Sequence, residues 1–193
     1  LLIKSRQSLC SRFAIFSIAP IPLIVYLGFM LADTRCRCFK LHLDTKSWAW
    51  PMVDPECVDD DIHLHGLPEE TVEEECEVLI RISLSARIAE WETAEVAPNL
   101  PVQIDMFIDE PSRLWLRSPE QLDTITDRFR TILDVVLIRV PNCKKIHLFY
   151  AGPAPGAFVI GQLINPRMMP PIQLYEYNRS NSPRYEQAIV LPL

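Results

Sequence analysis

Residues 13–33, FAIFSIAPIPLIVYLGFMLAD, decide the fold, because the same 21 letters support two incompatible structures. Their length and hydrophobicity match a membrane-spanning helix, which needs about 20 apolar residues. Pro20 and Pro22 fall near the middle, where each removes a helical hydrogen bond at a cost of about 3 kcal/mol. Before Pro20 the apolar residues have no helical period. After Pro22, Leu23, Ile24, Leu27, Met30 and Leu31 are spaced along one helix face. The segment is therefore expected to be a buried strand, a tight turn and a helix.

A second copy supports this reading. Residues 145–164 run KIHLFYAGPAPGAFVIGQLI, and an offset of 133 places Pro153 on Pro20, Pro155 on Pro22, Gly161 on Gly28, Phe149 on Phe16 and Gly152 on Ala19. The match implies an internal duplication of a strand–turn–helix unit. The later copy contains His147 and Gln162, so it is not a membrane span, and by homology neither is the first. A membrane-anchored scaffold built on residues 13–32 is the competing expectation.

The chain has 193 residues, 49% hydrophobic and 23% charged, with a net charge of −6. That balance argues against general nucleic-acid coating, which rests on many cationic phosphate contacts. A phosphate-bearing ligand would have to be small and met by local basic groups. Cys10, Cys36, Cys38, Cys57, Cys76 and Cys143 lack C-x-x-C spacing and read as reduced, buried thiols in a cytoplasmic protein. The one-residue spacings in CRC and HLH differ from ordinary zinc-ligand spacing. His63 and His65 read instead as part of a solvated acidic loop. No nucleophile elbow, P-loop or paired catalytic carboxylates are recognisable.

After the first unit, CRCFKLHLDTKSWAW gives a short strand that alternates through Cys36, Cys38 or Phe39, Leu41 and Leu43. Residues 53–76 are acidic and read as a linker between a first half (1–52) and a second half (77–193). Strands are expected at EVLIRISLSARI (77–88), PVQIDMFI (101–108), PIQLYEY (171–177) and near EQAIVL (186–191). Between the second and third of these, Ser118, Pro119 and Gln121 form a helix start. Leu122, Ile125, Phe129, Ile132, Leu133 and Val136 keep that helix's inner face apolar. Strands alternating with helices imply an α/β fold of mainly parallel sheets, in two halves related by a pseudo-twofold. Far fewer residues precede the first strand–turn–helix than precede the second within its half, so the first half is expected to be incomplete.

In open α/β sheets ligands bind at the carboxyl ends of the strands. The two turns lie at such ends, which makes Ala19, Pro20, Ile21 and Pro22, with Gly152, Pro153, Ala154, Pro155 and Gly156, the candidate ligand-facing residues. The alternative is that the prolines only shape a tight turn. The next strand ends add cations and aromatics: Lys40, His42, Lys46, Trp48 and Trp50 in one half, Tyr175, Tyr177 and Arg179 in the other, with Tyr185 nearby. Cations neutralise phosphates and aromatic rings stack on bases.

These residues together, the doublet of strand, A/G-P-x-P turn and glycine-bearing helix followed by WAW, resemble the SAVED domain. That domain is a fusion of two CARF-like (Rossmann-like) halves found in bacterial CBASS anti-phage effectors, and the likeness is greatest to the type that follows an HNH endonuclease. The resemblance implies a sensor, not itself an enzyme, that binds a cyclic di- or trinucleotide second messenger without a cofactor. It also implies self-association on binding, activation of a fused effector, and contact with DNA only through that effector. A ring-opening phosphodiesterase is the alternative within the same ligand class.

Overall fold

The computed structural model describes residues 13–42, 44–51 and 61–192. Leu43, Cys10, Cys57 and part of the acidic 53–76 segment lie outside the described residues. Twelve elements follow in order: β1 (Phe13–Phe16), α1 (Ile21–Met30), β2 (Cys36–Phe39), β3 (His63–His65), β4 (Cys76–Ser83), α2 (Glu90–Ala94), β5 (Val102–Phe107), α3 (Glu120–Arg139), β6 (Cys143–Ala151), α4 (Ala154–Leu163), β7 (Ile172–Tyr177) and β8 (Tyr185–Leu191).

The opening segment is β1, a turn and the ten-residue α1. Among the described residues no helix is long and apolar enough to cross a membrane. The duplication is exact in the helices, because Ile21–Met30 and Ala154–Leu163 differ by the sequence offset of 133. Each copy is a βαβ unit: β2 pairs parallel to β1, and β7 pairs parallel to β6.

The strands form two sheets, β1-β2 and the six-stranded β3-β5-β4-β6-β7-β8. In the larger one, β5, β4, β6 and β7 run parallel, while β3 and β8 close the edges antiparallel. One face carries Val78, Ile80, Ile82, Ile104, Met106, Ile146, Leu148, Ile172 and Leu174, all in the main core with the apolar faces of α3 and α4. The predicted inner residues of α3 are all buried. Its start is tied as the sequence suggests: Gln121 Oε1 accepts from the Ser118 N–H at 3.1 Å, and Ser118 Oγ accepts from the Gln121 N–H at 3.4 Å.

Two corrections fall on loops. The acidic segment is not only a linker, since His63–His65 forms an edge strand antiparallel to β5. Fully buried Ile62 anchors it, an apolar residue hidden by its acidic neighbours. His63 and His65 therefore stand on a strand, and His63 faces Asp109 at 3.4 Å. The strand read at 77–88 ends at Ser83, and the short helix α2 follows.

The halves meet where α1 crosses α4. A Cβ on Gly28 would lie 2.1 Å from the Phe158 carbonyl oxygen, and one on Gly161 would lie 2.0 Å from that of Val25. Val25 and Phe158 are themselves 133 apart, so the two contacts are mates under a pseudo-twofold. Only glycine lets two helix backbones approach this closely.

The symmetry reaches the outer sheet face. Phe149 stacks on Tyr175 at 4.1 Å with Tyr185 edge-on at 5.0 Å. In the first copy Phe16 stacks on Phe39 at 4.8 Å with Trp48 edge-on at 5.3 Å. The second trio is sealed beneath Ile88 and Ala97, from the segment between β4 and β5. In the first, Phe16 is 54% exposed.

Candidate functional site

Strand order locates the site. From β4 the chain passes to β5 on one side, then crosses through α3 to β6 on the other side. The gap between the carboxyl ends of β4 and β6 is therefore a topological switch point, where open α/β sheets bind ligands. A cavity of about 260 Å³ opens there. Its walls come from both copies: Ser17, Lys40 and Leu41 follow β1 and β2, while Gly152, Pro153, Ala154 and Pro155 form the turn into α4. Ser85, beyond β4, and Arg113, from the loop ahead of α3, complete it.

Backbone hydrogen bonds fix these walls. The N–H groups of Leu84 and Ser85 donate to the Ala151 carbonyl at 2.9 and 2.7 Å, holding the β4 exit against β6. The Ser112 N–H donates to the Leu84 carbonyl at 3.0 Å, which positions Arg113. Lys40 Nζ donates to the Arg113 and Leu116 carbonyls at 2.7 and 2.9 Å, so a first-half side chain straps a second-half loop. Burial lowers the Lys40 pKa from its ordinary value. The Asp44 charge opposes that shift and the Arg117 charge adds to it.

The α4 turn is shaped from below. The Tyr150 hydroxyl donates to the Pro153 carbonyl at 2.7 Å. A Cβ at Gly152 would meet the Tyr150 ring at 2.5 Å, and one at Gly156 would meet its hydroxyl at 2.3 Å. Both glycines are there to admit Tyr150. At the matching places the first copy has Ser17, Ala19 and Leu23, so where the tyrosine is absent the glycines are too. Burial pushes the Tyr150 pKa up strongly, leaving a neutral phenol.

The structure thus brings Lys40, Gly152, Pro153, Ala154 and Pro155 together and leaves the other candidates apart from the cavity. Gly156 is buried under Tyr150. Ala19 and Pro20 are exposed, Ile21 is half-buried and Pro22 is buried. His42 is buried beside Trp50, its Nε2 without a hydrogen-bond partner, and burial lowers its pKa. Trp48 belongs to the outer trio, and Lys46 is exposed. Tyr175 is 3% exposed, and its hydroxyl lies 2.7 Å from His147 Nδ1. Tyr177 packs against Tyr185, and Arg179 is exposed on a turn. Sequence reasoning missed Ser17, Ser85 and Arg113. Strand order would have found Ser85, because it follows the strand beside the switch point.

Two basic residues, two serines and the N-terminus of α4 border one opening, a combination whose charge favours a small anion over a cation. Among the described residues no group of three or more His, Cys, Asp or Glu is placed to hold a metal. Burial pushes the Cys38 thiol up to about 12, so it stays protonated.

The fold and this cleft define an α/β protein of two joined βαβ units with a ligand-sized opening between them. The family model described as "SMODS-associated and fused to various effectors sensor domain", SAVED, matches residues 3–191, and the chain belongs to that family. It is similar in fold to the Acinetobacter baumannii Cap4 SAVED/CARF-domain containing receptor with the cyclic trinucleotide 3′3′3′-cAAA, at TM-score 0.65 and 16% identity over 94% of this chain and 39% of that one. The same receptor with 2′3′3′-cAAA gives TM-score 0.61 and 15% identity over 94% of this chain and 39% of that one. The Moraxella osloensis Cap4 receptor gives 0.62 and 17% over 93% and 36%. This chain thus spans less than two-fifths of the length of these solved structures. No curated protein matches it.

Proposed function

We propose that the chain is a ligand-sensing module that binds a cyclic di- or trinucleotide in the cleft between its two halves. The observation that carries this reading is the cavity itself, assembled from both copies of the duplicated unit, with Lys40 and Arg113 at its wall. A ring of nucleotides presents phosphates that Arg113 and the α4 N-terminus neutralise. The Acinetobacter baumannii relative, solved with two isomers of cAAA, supports the ligand class. In the same reading residues 1–52 and 77–193 are two CARF-like halves. Binding drives self-association and switches on a fused effector, a nuclease of the HNH type, which alone contacts DNA in the cytoplasm.

Calorimetry with cyclic triadenylate, cyclic diadenylate and linear triadenylate tests it. Saturable binding of a cyclic ligand is expected, with Arg113→Ala weakening it by about ten- to a hundredfold, the worth of a charge-assisted contact. Failure of both cyclic ligands to bind, or equally tight binding of linear triadenylate, would reject the reading.

A further inference from the structure

A second opening, of about 480 Å³, is larger than the cleft described above and shares none of its lining residues. Cys36, Arg37, Cys38 and Phe39, the whole of β2, line one side, while Leu122 of α3 and Val159 of α4 line another. Successive strand residues point to opposite faces, so four in a row mark the edge of the strand. The duplication shows why that edge is open. The His42 N–H donates to the Ser47 carbonyl at 2.8 Å, as the Asn178 N–H donates to that of Arg184 at 2.8 Å, so in both copies the chain turns back after its second strand. In the second copy β8 then pairs with β7 as far as Ile172. In the first, no strand among the described residues pairs with the far edge of β2, and Trp50 borders the opening there instead.

The lining has the make-up of a small-molecule site. Ligand pockets are usually about 300–1,000 Å³, mostly apolar, with a few polar groups that fix orientation. Trp50 and Phe39 supply aromatic surface, and His42 braces the Trp50 ring edge-on at 5.8 Å. Arg37 and Asp123 are exposed at the border, a donor and an acceptor whose charges cancel, so the opening does not select a polyanion. An edge strand adds unpaired N–H and C=O groups. What fits these walls is a flat ring with apolar faces and a polar rim. Aromatic side chains stack on such faces, and a carboxylate accepts from an exocyclic amino group.

We propose that this cavity is a nucleobase site, separate from the anion cleft, in which the base stacks on Trp50 and donates its amino group to Asp123. The base belongs to a free nucleoside or to a nucleotide whose phosphates stay outside the opening. The inference stands whether or not the cleft takes a cyclic nucleotide.

The test follows the Trp50 indole N–H resonance, identified by its loss in Trp50→Phe, as adenosine is added to the unmodified chain. A saturable shift is expected. Thr126→Phe, which fills the cavity from a half-buried position on α3, should abolish binding at an unchanged melting temperature. Asp123 is exposed and can be replaced without disturbing the core. Asp123→Ala should weaken adenosine about tenfold and purine riboside, which lacks the amino group, less than about twofold. Repeating the titration with saturating cyclic triadenylate distinguishes the sources: adenosine excluded means that the ring lodges a base here, and adenosine still bound means a free nucleoside. No saturable shift, or an affinity that Thr126→Phe and Asp123→Ala both leave unchanged, would overturn the site. Adenosine is titrated alone, so that failure would leave the sensor reading intact.

Discussion

Adding one methyl group at Gly161 tests whether the halves are joined backbone to backbone. In an ordinary helix Gly→Ala stabilises by about 1 kcal/mol. Here the new Cβ would lie 2.0 Å from the Val25 carbonyl oxygen, 2.9 Å from its carbon and 3.0 Å from the Phe29 nitrogen. Ordinary C···O contacts sit near about 3.3 Å, so the helices must part by about 1 Å. The atoms in the way are backbone, so no rotamer change relieves the overlap. The surrounding Ile24, Val25, Phe158 and Ile160 are at most 1% exposed, and separation unpacks them. Overpacking of this severity costs about 3 kcal/mol, which leaves a net loss of about 2 kcal/mol after the propensity gain. With a urea slope of about 2 kcal/mol/M, the unfolding midpoint should fall by about 1 M. Gly28→Ala should behave alike, and the double variant should lose less than the sum, since helices already parted by one methyl have room for the other. An unchanged or raised midpoint for Gly161→Ala would refute the close crossing.

Gly152→Ala should cost about 2 kcal/mol alone but less than about 0.5 kcal/mol on a Tyr150→Ser background, as paired unfolding curves would show. On the opposite sheet face, Glu77 Oε2 lies 2.7 Å from His147 Nε2, and that hydrogen bond holds the Glu77 carboxyl below its ordinary value near 4.5. A depressed carboxyl stabilises the fold fully above its unfolded pKa, and that contribution fades as pH falls toward the folded one. Glu77→Gln should therefore flatten the decline in melting temperature below about pH 4.5, measured against the unmodified chain.

The fold was legible where the duplication was legible. P-x-P at one offset, with the aromatic and glycine around it, distinguished β1–turn–α1 from a membrane span. The heptad-like run from Leu122 to Val136 announced α3. What stayed hidden has physical causes. β3 is three residues long, with Ile62 and Leu64 set in an acidic run, so no period identifies it. The site was half legible: the α4 turn and Lys40 could be named, but Ser17, Ser85 and Arg113 line the cavity only because sheet order brings three chain-distant loops together. Tyr175 carried a misleading signal, because a tyrosine at a strand end looks the same in sequence whether it faces a ligand or His147. Gly152 and Gly156 were named as ligand-facing, but the space a Cβ would need at each is taken by Tyr150.

The Gly28–Gly161 crossing also has a mechanical meaning. Where two helices meet without side chains between them, there are no ridges to mesh in grooves, so changing the crossing angle meets less resistance than pulling the helices apart. The contact is a fulcrum, with each helix a lever whose far end is a proline-bounded turn. Because the crossing point is fixed and the angle is the softer coordinate, a tilt of α4 moves the 152–155 turn relative to the 19–22 turn while the two helices stay joined at Gly28 and Gly161.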